Sequence, residues 1–321
     1  MKKITALLLA LLMLAGVLAG CGKQNDTNKT DKLSIVTTIF PEYDWVKEVL
    51  GDKADSAEIT MLLDNGVDLH SYQPTADDLI KLSDCDLFVY VGGESDGWVE
   101  DALKSAANRD RKVINLLETL GDSVKEEETV EGMQEEEEDH EEKEYDEHVW
   151  LSLKNAKTLV GAISESLQEL DPGNKDTYAA NADAYVQKLS ALDAEYQKAV
   201  SAGTYKTLLF GDRFPFRYLV DDYGLSYYAA FAGCSAESEA SFETVSFLAG
   251  KVDEGKLPCV LTIEGAQHKI AETIVKNTAG KNQKVLTMDS MQSTTSQDVA
   301  NGTTYLSLMA KNLDVLKEAL G

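Results

Sequence analysis

NKDTYAANADAYVQKLSALDAEYQKAV, residues 174–200, decides how the rest of the chain is read. It contains no helix breaker and predicts one uninterrupted helix over about 174–201. At 1.5 Å per residue such a helix is roughly 40 Å long, enough to join two domains as a stiff rod. Asp171-Pro172-Gly173 separates it from another helical stretch at 152–170.

On both sides of the rod, short apolar and β-branched runs alternate with helical patterns. Before it lie the strand candidates LSIVTTI (33–39), AEITML (57–62), DLFVYV (86–91) and KVINL (112–116), with helices starting near Pro41, Pro74 and Gly97. Proline suits a helix's first turn because its fixed φ and missing donor cost nothing there. After the rod come KTLLF (206–210), LSYYAA (225–230), PCVLTI (258–263) and KVLTM (284–288), with helices near 214–223, 239–254, 266–279 and 298–320. Repeated βα alternation argues for parallel sheets covered by helices. The expected fold is α/β: two lobes, each a mainly parallel sheet with flanking helices, joined by one long helix.

The first residues, MKKITALLLALLMLAGVLAGCG, combine a positive start at Lys2 and Lys3 with an apolar stretch too short for a stable membrane span. They read as a signal peptide over 1–20. Leu18-Ala19-Gly20-Cys21 has the form of a bacterial lipoprotein box, with Cys21 the point of lipid attachment and 21–32 a polar tether. The protein is thus expected outside the cytoplasmic membrane, held to it by lipid. The remaining domain boundaries read as an N-terminal lobe over 33–173, a linking helix over 174–203 and a C-terminal lobe over 204–321.

Formal net charge is −26, and −28 once Lys2 and Lys3 leave with the signal. That balance disfavours nucleic acid and favours cations. Much of it sits in one segment, 125–147, where 14 of 23 residues are Asp or Glu. Such a segment cannot bury a core and is expected to be a mobile loop. After Cys21 only Cys85, Cys234 and Cys259 remain, an odd count that makes no disulfide framework and leaves a Cys234–Cys259 bridge open. Cys85 and Cys259 lie in apolar runs and read as small core residues.

Chemistry is expected where strands end. His70, in GVDLHSYQPTADDL, follows a strand and precedes a helix, at the edge where open α/β sheets bind ligands. His148, in DEHVWL, adjoins ordered structure and can be held as a ligand must be. His140 lies within the acidic run and reads as an accessory for metal capture. Asp289 and Glu264 follow strands of the second lobe, so imidazoles from one lobe could meet carboxylates from the other. A mixed nitrogen and oxygen site suits tetrahedral zinc, or manganese at higher coordination.

HSYQP, EHVWLSLKNA, FPFRYLVDDYGL, VLTIEG and VLTMDS fall in the order seen in zinc- and manganese-type solute-binding lipoproteins of bacterial ABC transporters, which this chain resembles over nearly its whole length after Cys21. The resemblance implies two α/β lobes tied by a long helix, with a metal in the cleft between them. It maps ligands onto His70, His148 and Asp289, with Glu264 a further candidate, and implies an ABC permease as partner. The 125–147 run looks like the His- and acid-rich loop of zinc-specific members. One position departs: the family's third ligand, His or Glu, falls on Arg213. A guanidinium has no lone pair to offer, so Arg213 is expected to pair with Glu264 or Glu239 instead.

The leading reading is a monomeric, non-enzymatic carrier that captures zinc, or manganese, and delivers it to a permease. An organic-anion carrier clamping its ligand with Arg213 is the alternative. A zinc hydrolase ranks lower, because the chain contains no HExxH and no GxSxG.

Overall fold

The β-branched and aromatic runs pair as two four-stranded sheets, ordered β2-β1-β3-β4 and β6-β5-β7-β8, with every ladder parallel. The computed structural model describes residues 32–134, 144–235, 239–265 and 268–321. The first lobe runs β1 (Ser34–Thr37), α1 (Phe40–Leu50), β2 (Glu58–Met61), α2 (Ala76–Asp84), β3 (Leu87–Tyr90), α3 (Val99–Ser105), β4 (Lys112–Asn115) and α4 (Leu116–Leu120). Then come α5 (Leu153–Leu170) and the long α6 (Lys175–Ala202). The second lobe runs β5 (Thr207–Arg213), α7 (Arg217–Tyr223), β6 (Ser226–Phe231), α8 (Phe242–Gly255), β7 (Cys259–Ile263), α9 (Lys269–Asn277), β8 (Lys284–Met288), α10 (Ser296–Ala300) and α11 (Tyr305–Leu320).

Both sheets share one order, so each reverses direction between its first and third strands. At such switch points loops leave in opposite directions and open a crevice beyond the carboxyl ends of the strands. Local chemistry sets where helices start. Pro41 lies in the first turn of α1, and Glu42 accepts the Thr38 and Ile39 N–H groups at 2.8 and 3.2 Å. Thr75, not Pro74, caps α2, through a reciprocal pair with Asp78. The single terminal helix expected over 298–320 is two helices. Gly302, at φ 95°, turns the chain, and Thr304 caps a new start.

The long helix is 28 residues, as its lack of breakers requires. It buries Tyr178, Ala182, Tyr185, Leu189, Tyr196 and Val200 as a stripe at helical spacing. That stripe packs on α1 and α5 of the first half and on α11 of the second. Tyr196 Oη donates to the Met309 carbonyl at 2.6 Å. Beside it, Tyr305 stands edge-on to Trp45 at 5.2 Å and donates its hydroxyl to the Trp150 carbonyl at 2.6 Å. Trp150 Nε1 in turn donates to the Ser290 carbonyl at 2.8 Å. The two sheets therefore rest on one continuous apolar core that holds both Phe88 and Phe210.

Where the acidic segment is described, it makes specific contacts within itself and with the second lobe. Glu126 bridges Tyr145 in an antiparallel pair, Glu128 meets Arg217 Nε at 3.2 Å, and the Gln134 N–H donates to the Ala230 carbonyl at 3.0 Å. Residues 135–143, with His140, and residues 1–31, with Cys21, lie outside the described residues. Cys85, Cys234 and Cys259 are all free, so the open Cys234–Cys259 bridge is not made.

Candidate metal centre

His70 sits on the 3-10 turn Leu69–Ser71, in the loop that follows β2. Asp68 caps that turn by accepting the His70 N–H at 3.0 Å. The His70 ring is set by Ser95 Oγ, 2.9 Å from Nδ1, and by Glu147 Oε2 at 3.5 Å from the same nitrogen. His148 is fully buried, at 0% exposure. Asp146 Oδ1 takes both its backbone N–H, at 2.9 Å, and its Nδ1, at 3.0 Å. A carboxylate on Nδ1 fixes the tautomer and leaves Nε2 with a lone pair, as in a histidine oriented to ligate a metal.

The two Nε2 atoms face each other at 3.2 Å, with the rings tilted 57°. One proton must lie between them. The Asp146 contact assigns His148 Nε2 as acceptor, so His70 Nε2–H donates to it. An ion bound here would displace that proton, and His70 would then carry its hydrogen on Nδ1. Glu147 is ready for it, because its Oε2 is buried and accepts no hydrogen bond.

Electrostatics follow from this packing. Burial and the charge of His148 push the His70 pKa down to about 3. Burial also works against a charged His148, but Asp146, Glu147 and Asp68 outweigh it and hold that group above the ordinary 6.5. The pair therefore takes up one proton, on the His148 side.

Cys234 completes the group. It follows β6, at the same carboxyl edge, and its thiol joins the two imidazoles with all three ligand atoms within 4.8 Å of one another. Its backbone N–H donates to Glu127 Oε1 at 3.0 Å, which ties the acidic segment to the site. Burial, then Glu127, Asp146 and Glu147, raise the thiol pKa well above its usual value. A cavity of about 260 Å³ opens over the group, lined by His70, Glu94, Ser95, Glu144, Tyr145, Glu147 and Cys234. Its carboxylates draw cations toward the imidazole pair.

Two glycines let these parts meet. Gly93, at φ +80°, lies where any Cβ would run into the Glu147 carboxylate. At Gly233 a Cβ would stand 2.9 Å from the Phe214 carbonyl and 3.0 Å from His148 Cε1. Gly233→Ala is therefore expected to displace the His148 ring and destabilise the fold by about 1–3 kcal/mol. Urea denaturation of the metal-free protein measures the cost, and an unchanged midpoint would count against this packing.

The carboxylates expected from the second lobe turn elsewhere. Glu264 accepts Ser290 N–H and Oγ, each at 2.6 Å, and the Gln292 N–H at 3.3 Å. Asp289 accepts the Met291 N–H at 2.8 Å, and burial followed by the Glu264 charge raises its pKa to about 6. Both carboxylates satisfy the turn after β8, and neither joins the group around the imidazoles. That turn instead sends Gln292 inward, its Nε2 3.3 Å from His148 Nε2.

Arg213 pairs with neither Glu264 nor Glu239 in the described contacts. Its Nη2 meets Asp68 Oδ2 at 2.6 Å and its Nη1 donates to the Ser235 carbonyl at 3.3 Å. One guanidinium thus braces the His70 turn against the Cys234 loop. Asp212 beside it accepts Thr262 Oγ1 at 2.6 Å and so points to β7. Sequence reasoning treats Cys234 only as a disulfide partner, and the structure brings it to the imidazole pair. The available signal was its place just after a strand, like Glu264 and Asp289.

The chain is thus two parallel-sheet lobes on a long helix, with the His70 and His148 imidazoles beyond the strand ends. The family profile "Zinc-uptake complex component A periplasmic" (ZnuA) matches residues 35–319, and the chain belongs to that family. It is 31% identical to the high-affinity zinc uptake system protein ZnuA of Bacillus subtilis, covering 95% of this chain and 94% of that protein. It is 35% identical to the zinc-binding lipoprotein AdcA of Streptococcus pneumoniae over 99% of this chain, which spans only 61% of the AdcA length. The crystal structure of the Zn(II)-bound ZnuA-like domain of that AdcA superposes with a TM-score of 0.70 at 32% identity, covering 90% of this chain and 99% of that domain.

Proposed function

We propose that this protein is an extracytoplasmic carrier that captures zinc between His70 and His148 and passes it to an ABC permease. The observation that carries this reading is the 3.2 Å separation of the two Nε2 atoms. A tetrahedral zinc with Zn–N bonds of about 2.0–2.1 Å spaces two nitrogens by roughly 3.3 Å. The imidazole pair is thus already set for the ion, and its outward hydrogen bonds to Asp146 and Ser95 keep it so. Membership of a family described by zinc uptake supports the same cargo and a permease partner. Manganese is the second ion, and it prefers oxygen donors that the imidazole group lacks. Cys21, in its lipoprotein box, would hold the carrier to the outer face of the membrane as a monomer.

An anion carrier built on Arg213 loses support, because Asp68 and Ser235 already occupy the guanidinium. Isothermal titration of the full chain with zinc chloride and with manganese chloride tests the reading. One zinc per chain at a Kd below about 1 μM, or −8.2 kcal/mol, is expected, with weaker manganese binding. Absence of saturable zinc binding would overturn it.

A further inference from the structure

We propose that Cys234 supplies a thiolate ligand to the ion held by His70 and His148, so that the site selects thiophilic divalent cations over manganese. This deepens the carrier reading and rests on it. Three separate segments bring His70, His148 and Cys234 together, with ligand atoms all within 4.8 Å. A zinc bound by two nitrogens and one sulfur, at about 2.05 and 2.3 Å, spaces nitrogen from sulfur by roughly 3.6 Å. Rotation of the cysteine side chain on metal binding would have to close the remaining distance.

The surroundings point the same way. Arg213, which braces the loop that carries Cys234, cannot ligate a metal itself. That arginine holds the Ser235 carbonyl and so fixes the residue next to Cys234. From the other side, Glu127 holds the Cys234 N–H at 3.0 Å. The thiol is free, faces the cavity, and has no disulfide partner, since Cys259 is buried in β7. Asp289 and Glu264 accept N–H groups of the turn after β8, and among the described residues neither joins the group at the imidazoles. A further donor waits beside the pair. Gln292 is 4% exposed, its Oε1 has no hydrogen-bond partner, and its amide lies 3.3 Å from His148 Nε2. Turning that amide over presents its oxygen to the ion.

Binding breaks the S–H bond, sends the proton to water and forms the S–metal bond, with no change of oxidation state. Thiolate sulfur strengthens zinc, cadmium or cobalt far more than manganese. Cobalt(II) gives the test, because a thiolate ligand adds a sulfur-to-metal charge-transfer band in the near ultraviolet. The full chain loaded with one cobalt is expected to show that band. Cys234→Ser should bind cobalt without it, lose at least tenfold in zinc affinity, and keep its manganese affinity within about threefold. Cys259→Ser should leave the band intact. Cobalt bound without the band, or with a band that survives in Cys234→Ser, would overturn the thiolate and leave the carrier reading standing. Failure of the unaltered protein to bind cobalt or zinc at all would overturn both.

Discussion

Replacing His148 by alanine is expected to lower zinc affinity by at least about 100-fold, or roughly 2.8 kcal/mol, the largest loss at any single position of the site. Three observations set that size. The ring is fully buried, its Nε2 meets both His70 and Gln292, and its Nδ1 is held by Asp146 at 3.0 Å. Removing it deletes a ligand and also strands a buried carboxylate whose ring partner has gone, a costly state in a low dielectric. Competition against a chromophoric chelator measures the change. Asp146→Asn keeps the ring and loosens its orientation, so it should cost about 10–100-fold. His140→Ala, outside the described residues, should alter affinity by less than about threefold. Equal losses for His140→Ala and His148→Ala would remove the basis for placing the ion at the imidazole pair. Circular dichroism of the metal-free variants separates lost binding from lost folding.

The second large effect is on pH. In the metal-free protein His148 keeps its proton to above 6.5, and the Cys234 thiol keeps its proton to well above the usual thiol value. Bound metal needs both groups deprotonated, so the loaded form holds fewer protons and acid favours release. His70, at about 3, titrates too low to contribute. With the thiolate as ligand, affinity should fall about tenfold per pH unit through neutrality. It should fall more steeply once His148 also protonates. From pH 8 to pH 6 the total is at least about 100-fold, read by titration in a series of buffers. Cys234→Ser should lose the thiol's share and retain only that of His148. A flat profile between those pH values would contradict the ligand set. Such a slope would let a carrier load and unload by small changes in local acidity.

Much of the architecture was legible in the residues alone. Strands appeared as β-branched runs because a parallel sheet, covered on both faces, needs apolar side chains throughout. The long helix appeared because no residue between Lys175 and Ala202 breaks it. Its partners did not, since a helix stripe says only that something covers it. His70 and His148 stood out as candidates because they adjoin predicted elements, where a side chain can be held still, and the structure brings their rings together.

The structure departs from the sequence reading where hydrogen bonds form between distant segments. Asp289 and Glu264 lie at the expected strand ends, yet the N–H groups of the turn after β8 take their oxygens. Arg213 had several acidic residues to choose from, and proximity in the fold selected Asp68. The acidic segment looked unable to fold, yet its last two carboxylates, Asp146 and Glu147, are buried beside the imidazoles. Arg217 and the backbone N–H groups of the second lobe fix its ends.

The chain by itself determined the two sheets, the rod between them and the pair of histidines, because periodicity, breakers and element ends are local properties. Only the tertiary structure decided which donors share a point in space. That choice rests on contacts such as His70 with His148, 78 residues apart, and Arg213 with Asp68, 145 residues apart. No local pattern encodes such distances. They follow from how the two lobes pack along the long helix, and that packing brought a cysteine to the imidazoles where a carboxylate was expected.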